Sequence, residues 1–235
     1  YSYDRSGGHR LFWHLLPFQI KTVMADHDII FRYFPDMNER QRAQVQALAG
    51  LYGEWNARIN VISRRDIDNL YPAHILHSLA IAAFLGPLEP GTTFLDMGTG
   101  GGLPGIPLAI AYPDCRFHLI DRIGKKIRVA TEIASALGLD NVTFQHGDIG
   151  ECHKKYNYVV SRAVMALDAL VPLIAKNVER GSRGANRYAD GLVCLKGGDL
   201  SAEIAGTKRP AVEYGLQEFI PEPCFETKKL VYVPF

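Results

Sequence analysis

Nine residues near the middle of the chain, Met97-Gly98-Thr99-Gly100-Gly101-Gly102-Leu103-Pro104-Gly105, constrain the fold more than any others. They follow the apolar β-rich run Thr93-Phe94-Leu95-Asp96 and precede the apolar stretch that begins at Ile106. A glycine turn between a strand and a helix lets a ligand approach the backbone closely. In an open α/β sheet, ligands bind beyond the carboxyl ends of the strands. The turn therefore marks both the first strand–helix unit and the place to look for a site.

Short β-rich runs alternate with helical stretches from Thr92 onward. Strands are expected at 93–97, 116–121, 142–146, 158–162, 192–196, 216–220 and 230–233, and helices at 104–112, 124–137, 166–177 and 199–206. Such alternation argues for an α/β fold: a Rossmann-like, seven-stranded, mostly parallel sheet covered on both faces. The last two strands lack a long helix between them and are expected to pair as an antiparallel hairpin. The glycine-rich, basic loop 179–191 is expected to be mobile.

The chain divides near residue 90. Upstream, Val45, Leu48, Tyr52, Trp55 and Ile59 step by three and four, one face of an amphipathic helix. Core packing is the expected role of Trp55. A second helix is read through 67–85, with Pro72 near its start, and Gly86 to Gly91 closes the segment. The expected organisation is a helical N-terminal extension at 24–90 and a main domain at 91–235. Residues 1–23, ahead of Met24, read as a non-native or poorly ordered leader. The length of 235 residues suits one large domain or two small ones.

With 26 Lys+Arg against 25 Asp+Glu, a polybasic binder is excluded, though a nucleic-acid enzyme with a modest basic patch is not. No apolar run reaches the length of a membrane-spanning helix. The cysteines, Cys115, Cys152, Cys194 and Cys224, form no C-x-x-C pair and read as buried free thiols.

The glycines allow two registers. Gly98-x-Gly100-x-Gly102, preceded by Asp96, has the spacing of an S-adenosylmethionine loop, whereas Gly100-x-Gly102-x-x-Gly105 fits the dinucleotide fingerprint. Asp121, 23 residues after Gly98, closes the second strand, where a carboxylate can accept from both ribose hydroxyls of an adenosine. Both ligands carry that ribose, so Asp121 marks an adenosine without choosing between them. Asp148, after the third strand, is placed to accept from an adenine amino group.

Several segments together resemble the GidB family of bacterial small-subunit ribosomal RNA guanine-N7 methyltransferases. They are WNARINVISRRD (55–66), HILHSL (74–79), FLDMGTGGGLPGIPLAI (94–110), LIDRIGKKIR (119–128), VVSRAV (159–164) and CLKGG (194–198), in family order. The resemblance implies a class I S-adenosylmethionine-dependent methyltransferase fold with a helical extension. It implies S-adenosylmethionine as cofactor and a guanine of the 530-loop region of 16S ribosomal RNA as substrate. Carried over by motif, the cofactor residues are Gly98, Leu103, Ile149, Gly150 and Arg162; Gly100 and Gly102 belong to the same loop, and Asp121 and Asp148 join on the arguments above. Three positions depart from the common pattern. Gly101 stands where many members have Pro, His77 where many have Asp, and Gly150 where an acidic residue is common, so any Gly150 contact must come from the backbone.

Guanine N7 carries a lone pair and no proton at neutral pH, so its methylation needs no general base. Catalysis then rests on holding N7 and the methyl carbon in line, in a site that disperses positive charge. N7 lies in a groove too deep and narrow to reach in A-form RNA, so the base must be unpaired or turned out. Arg162, after the apolar Val159-Val160, is the first candidate for a catalytic part and Lys196, at the end of the next strand, the second. His74 and Asn60 are candidates for the base pocket, or for capping and backbone satisfaction. Arg58, Arg64, Arg65, Lys125, Lys126, Arg128, Arg183 and Arg187 are candidates for RNA contact, with a solvated surface charge as the alternative for each. The partner expected is 16S ribosomal RNA or the small ribosomal subunit, with no metal and no membrane, for a monomer in the cytoplasm. The alternatives are a class I methyltransferase acting on a small molecule or protein, a nicotinamide-dependent oxidoreductase, and a non-catalytic adenosine-binding module.

Overall fold

The computed structural model describes residues 27–63, 66–162, 164–180 and 185–235. The leader at 1–23, Met24, Arg64, Arg65 and Arg183 lie outside these residues.

Seven strands form one sheet in the order β3-β2-β1-β4-β5-β7-β6. They are β1 (Thr93–Met97), β2 (Arg116–Asp121), β3 (Val142–His146), β4 (Tyr158–Arg162), β5 (Gly191–Gly197), β6 (Val212–Gly215) and β7 (Lys228–Pro234). The first five pair in parallel, and β7 runs antiparallel between β5 and β6. The chain starts in the middle at β1, goes out to β3, and returns to place β4 on the other side of β1. That reversal opens a crevice at the carboxyl ends of β1 and β4, where doubly wound sheets bind ligands. The strands buried on both faces are nearly continuous apolar runs; in β4, Tyr158 to Ser161 are all buried.

Helices flank the sheet: α4 (Gly105–Ala111), α5 (Gly124–Ala136), α6 (Leu167–Ile174) and α7 (Ser201–Gly206). Upstream lie α1 (Asp28–Tyr33), α2 (Glu39–Arg58) and α3 (His77–Leu85). Asn38 caps α2 in a reciprocal box with Gln41, which satisfies two otherwise free N–H groups. The predicted face is the buried one: Val45, Leu48 and Tyr52 are in the core and Trp55 packs against it, partly buried. One apolar cluster takes in Ile30, Leu48, Ile75 and Phe84 from these helices together with Phe94, Phe117, Tyr158 and Leu230 from the sheet. At its centre Phe94 stacks on Phe117 at 4.7 Å and meets Tyr158 at 5.3 Å.

Three expectations need correction. The run 216–220 is not a strand; it begins with a 3-10 turn, Leu216–Glu218, and β6 lies earlier. Its core-facing residues, Leu216, Phe219 and Ile220, step by three and one, a helical spacing and not an alternating one. The hairpin pairing itself holds, with β6 against β7. The helix read through 67–85 is three pieces: a 3-10 turn at Ile67–Asn69, a π turn at Leu70–Leu76, then α3. Pro72 has no N–H for the ladder, and the backbone passes it in the wider turn. Within the loop 179–191, residues 186 and 188 are anchored: Tyr188 stacks on Phe84 at 4.1 Å and Asn186 accepts from the Glu89 N–H. Three of the cysteines are buried and free as expected, but Cys224 is exposed.

Because the Phe94 ring is fully buried at the junction of helices and sheet, its removal leaves a cavity that neither layer can fill alone. Phe94→Ala is expected to cost about 3–5 kcal/mol in urea unfolding. A loss below about 1 kcal/mol would show that the two layers do not share a core there.

Candidate functional site

The glycine turn is held from within by a carboxylate. Asp96, at the end of β1, is fully buried; its Oδ2 accepts from Thr99 Oγ1 at 2.5 Å and from the Gly105 N–H at 2.8 Å. One oxygen thus ties both ends of the turn. Burial pushes the Asp96 carboxyl up to about 7, while the Thr99 and Gly105 hydrogen bonds pull it back down. The outer side is fixed from β2, whose Ile120 carbonyl accepts from the N–H groups of Gly98 and Thr99. The helical layer adds a third anchor: the buried Tyr52 hydroxyl of α2 donates to the Gly101 carbonyl at 2.9 Å.

Gly98 is required for a definite reason. Its φ is +72°, and a Cβ there would sit 2.6 Å from Val164 Cγ2.

Beyond the turn lies a cleft of about 530 Å³, at the carboxyl ends of β1, β2 and β4. Gly98, Gly100, Asp121, Asp148, Ile149 and Arg162 all line it. Asp121 Oδ2 accepts from the Gly100 N–H and Oδ1 from the Ile123 N–H, each at 2.8 Å. A carboxylate has about four lone-pair directions, so it can still take hydroxyl donors from a ribose. The rim is apolar: Ile123, Val164 and Leu173 line the cleft and are exposed to 43%, 37% and 37%. Glycine backbone, a carboxylate beside it and apolar walls suit the flat base and ribose of an adenosine, so the residues present fit S-adenosylmethionine.

Other predicted residues fall elsewhere. Gly102, Leu103 and Gly150 do not line the cleft. Leu103 is buried behind the turn, and a Cβ on Gly102 would meet the Ile106 side chain, so both shape the loop from inside. The Gly150 N–H is taken by Asp148 Oδ1 and its carbonyl by Lys176 Nζ, which leaves its backbone little to offer a ligand. Lys196 lines neither this cleft nor the one described below. Its ammonium donates to Glu203 Oε2 at 2.6 Å and to the Met165 carbonyl at 2.5 Å. Those bonds tie it to the loop after β4 and to α7. Among the basic candidates, Lys126 lines the cleft, while Arg58 pairs with Glu54 and lies over the Trp55 ring.

Arg162 joins two clefts. It lines the first and also a second of about 380 Å³, with Asp66, Ala73, His74, His77, Cys224, Phe225 and Lys228. Its Nη1 lies 3.1 Å from His74 Nδ1. Arginine has no acceptor, so the bond runs from Arg162 to the imidazole, and His74 carries its proton on Nε2. Burial and then the Arg162 charge lower the His74 pKa to about 4; the same causes, in the same order, lower that of His77 to about 3. Both rings are neutral at pH 7. The Nε2 of each is buried with no hydrogen-bond partner among the described residues. Asn60 lines neither cleft. Sequence reasoning met Tyr52 only as an apolar helix-face residue and His77 only as a departure from the common pattern.

Comparison with known proteins decides the family. The model for GidB, rRNA small subunit methyltransferase G, matches residues 41–224. The chain belongs to the GidB family. A relative from Bacteroides thetaiotaomicron, named ribosomal RNA small subunit methyltransferase G, is 53% identical over 205 residues, covering 87% of this chain and 98% of its own. Relatives of the same name from Phocaeicola vulgatus and Porphyromonas gingivalis are each 50% identical; they cover 88% and 89% of this chain and 97% and 94% of their own. Among solved structures, magnesium protoporphyrin IX methyltransferase from Synechocystis with bound SAM superposes with a TM-score of 0.56 at 17% identity, over 91% of this chain and 99% of that one. At that identity the likeness shows the fold, the class I methyltransferase fold. GidB membership also decides between the two glycine registers, in favour of the methyltransferase reading.

Gly98→Ala places a side chain in the left-handed region, at about 1–2 kcal/mol, and drives it against Val164. We expect S-adenosylmethionine affinity to fall by about tenfold or more in calorimetry, with cooperative unfolding retained. Unchanged affinity would mean that the turn does not face the cofactor.

Proposed function

We propose that this chain transfers a methyl group from S-adenosylmethionine to N7 of a guanine in the 530-loop region of 16S ribosomal RNA. The observation that carries the reading, beside family membership, is the sharing of Arg162 by the cofactor cleft and a second cleft that opens to solvent at Asp66, Cys224 and Lys228. A base turned out of an RNA strand needs such an opening. The expected setting is the cytoplasm, with the chain acting as a monomer on the small subunit or its RNA; no helix among the described residues is long and apolar enough to cross a membrane.

When bound, the cofactor supplies a methyl carbon on a positively charged sulfur. The chain's own part is to hold and exclude. Asp121 fixes the ribose, with its carboxylate preset by Gly100 and Ile123. Asp148, which caps the turn after β3 and lines the cleft, would accept from the adenine amino group. Gly98 and Gly100 admit the ligand to the backbone, and Met97, Ile120 and Ile149 wall the cleft with apolar groups. Arg162 orients what enters from the second cleft. No proton has to leave N7, and the two imidazoles beside Arg162 are held neutral and are not needed as bases. Positioning of the two reacting atoms is the main source of rate. Lys196 acts on the site as a positioning residue, through the Met165 carbonyl.

The direct test is transfer of labelled methyl to small subunits that lack the modification, with mapping of the labelled base. We expect one N7-methylguanine in the 530-loop region. Arg162→Ala should cut the rate at least tenfold while S-adenosylmethionine still binds. Binding without label on subunits or naked RNA would keep the fold and discard this acceptor.

A further inference from the structure

The second cleft has a donor and acceptor pattern of its own. Arg162, Lys228 and His74 line it with N–H groups that can donate. Asp66 lines it too, an exposed carboxylate whose Oδ2 accepts from Ser63 Oγ at 2.7 Å and whose Oδ1 has no partner among the described residues. The Phe225 ring packs against the His77 ring at 5.6 Å and 39°. The volume of about 380 Å³ lies within the range of ligand pockets.

The buried nitrogens set this cleft apart from an ordinary surface groove. The Arg162 bond forces the His74 proton onto Nε2, and that N–H has no acceptor among the described residues. His77, one turn further along, is 8% exposed and its Nε2 is unpartnered as well. A buried polar group without a partner costs about 1–3 kcal/mol, and two beside one arginine call for a role that folding does not supply.

The purines differ in ways this pattern reads. Guanine presents O6 and N7 as acceptors on one edge. Its other edge carries an N1–H and an amino group, both donors, which a carboxylate can take together. Adenine has an acceptor at N1 and a donor at position six, so it would set an acceptor against Asp66 and a donor against Arg162. Arg162 stands at the seam with the cofactor cleft, so an O6 held there brings N7 toward the methyl group.

We propose that this cleft, lined by Asp66, His74, His77, Arg162, Phe225 and Lys228, is the acceptor-base pocket, and that Asp66 makes it specific for guanine by taking the N1–H and the 2-amino group. The proposal rests on the methyltransferase reading above and names how its substrate is chosen. Asp66 touches the base but not the reacting atoms, so it selects and orients.

Inosine isolates the contact, because it keeps N7, O6 and N1–H and lacks only the 2-amino group. Small-subunit RNA carrying guanine or inosine at the target position would be methylated by the wild-type chain and by Asp66→Ala and Asp66→Asn. Inosine is expected to slow the wild type by about tenfold, the worth of one hydrogen bond to a charged group. Both variants should be slow on guanine and should lose that discrimination to within about twofold, while binding S-adenosylmethionine as the wild type does. Equal discrimination by wild type and variants would overturn the guanine assignment and leave the methyltransferase reading intact. A wild type inactive on guanine RNA would remove both. If Asp66→Ala binds the cofactor poorly, Asp66→Asn, which keeps the Ser63 acceptor, decides.

Discussion

One buried carboxylate oxygen organises the site. Asp96 Oδ2 takes hydrogen bonds from Thr99 and Gly105 at once, so it closes the loop that runs between them. Desolvation opposes the charge, as the rise toward 7 shows, and the two donors are what make the buried carboxylate tolerable. For a carboxyl whose pKa is raised on folding, the folded state holds its proton more tightly than the unfolded one. Its contribution to stability is present in acid and is lost as pH rises from about 4 toward 7. The molecule thus gives up stability near neutral pH to keep an anchor inside the turn.

The rest of the site hangs on this anchor. Gly100 donates to Asp121, so the turn fixes the carboxylate proposed to meet the ribose. Tyr52 reaches the Gly101 carbonyl from α2, and Arg162 reaches His74 from β4. The upstream segment thereby supports both clefts: α2 braces the glycine turn through Tyr52, and the π turn and α3 supply the histidines that line the second cleft. A shift at the turn would be felt at Arg162 through Asp96, whose charge raises the arginine pKa against the effect of burial.

Much of this was legible in the sequence where a residue's local pattern decides its environment. The strands at 93–97, 116–121, 142–146 and 158–162 match because each is a short β-rich run between turn signals. Asp121 and Arg162 line the cleft, and each ends such a strand. Gly102, Leu103 and Lys196 do not line it, because a motif tells which residues a loop needs, and not which face they turn. Lys196 lies one residue past Leu195, the register partner of Arg162 on the adjacent strand; Glu203 of α7 pairs with Lys196, and no acidic side chain among the described residues pairs with Arg162. Tyr52 read as a helix-face residue and His77 as a departure from the family pattern, because the partners that give them meaning lie about 50 and 90 residues away, at Gly101 and Arg162.

The central claim is that Asp96 shapes the cofactor cleft from within. Calorimetric titration of S-adenosylmethionine into Asp96→Ala, with Thr99→Val as the milder change, tests it most directly. The account predicts cooperatively folded variants that bind at least about tenfold more weakly, from the loss of one charged hydrogen bond or more. Wild-type affinity in a folded Asp96→Ala variant would contradict it, and the glycine turn would then have to be held by Ile120 and Tyr52 alone.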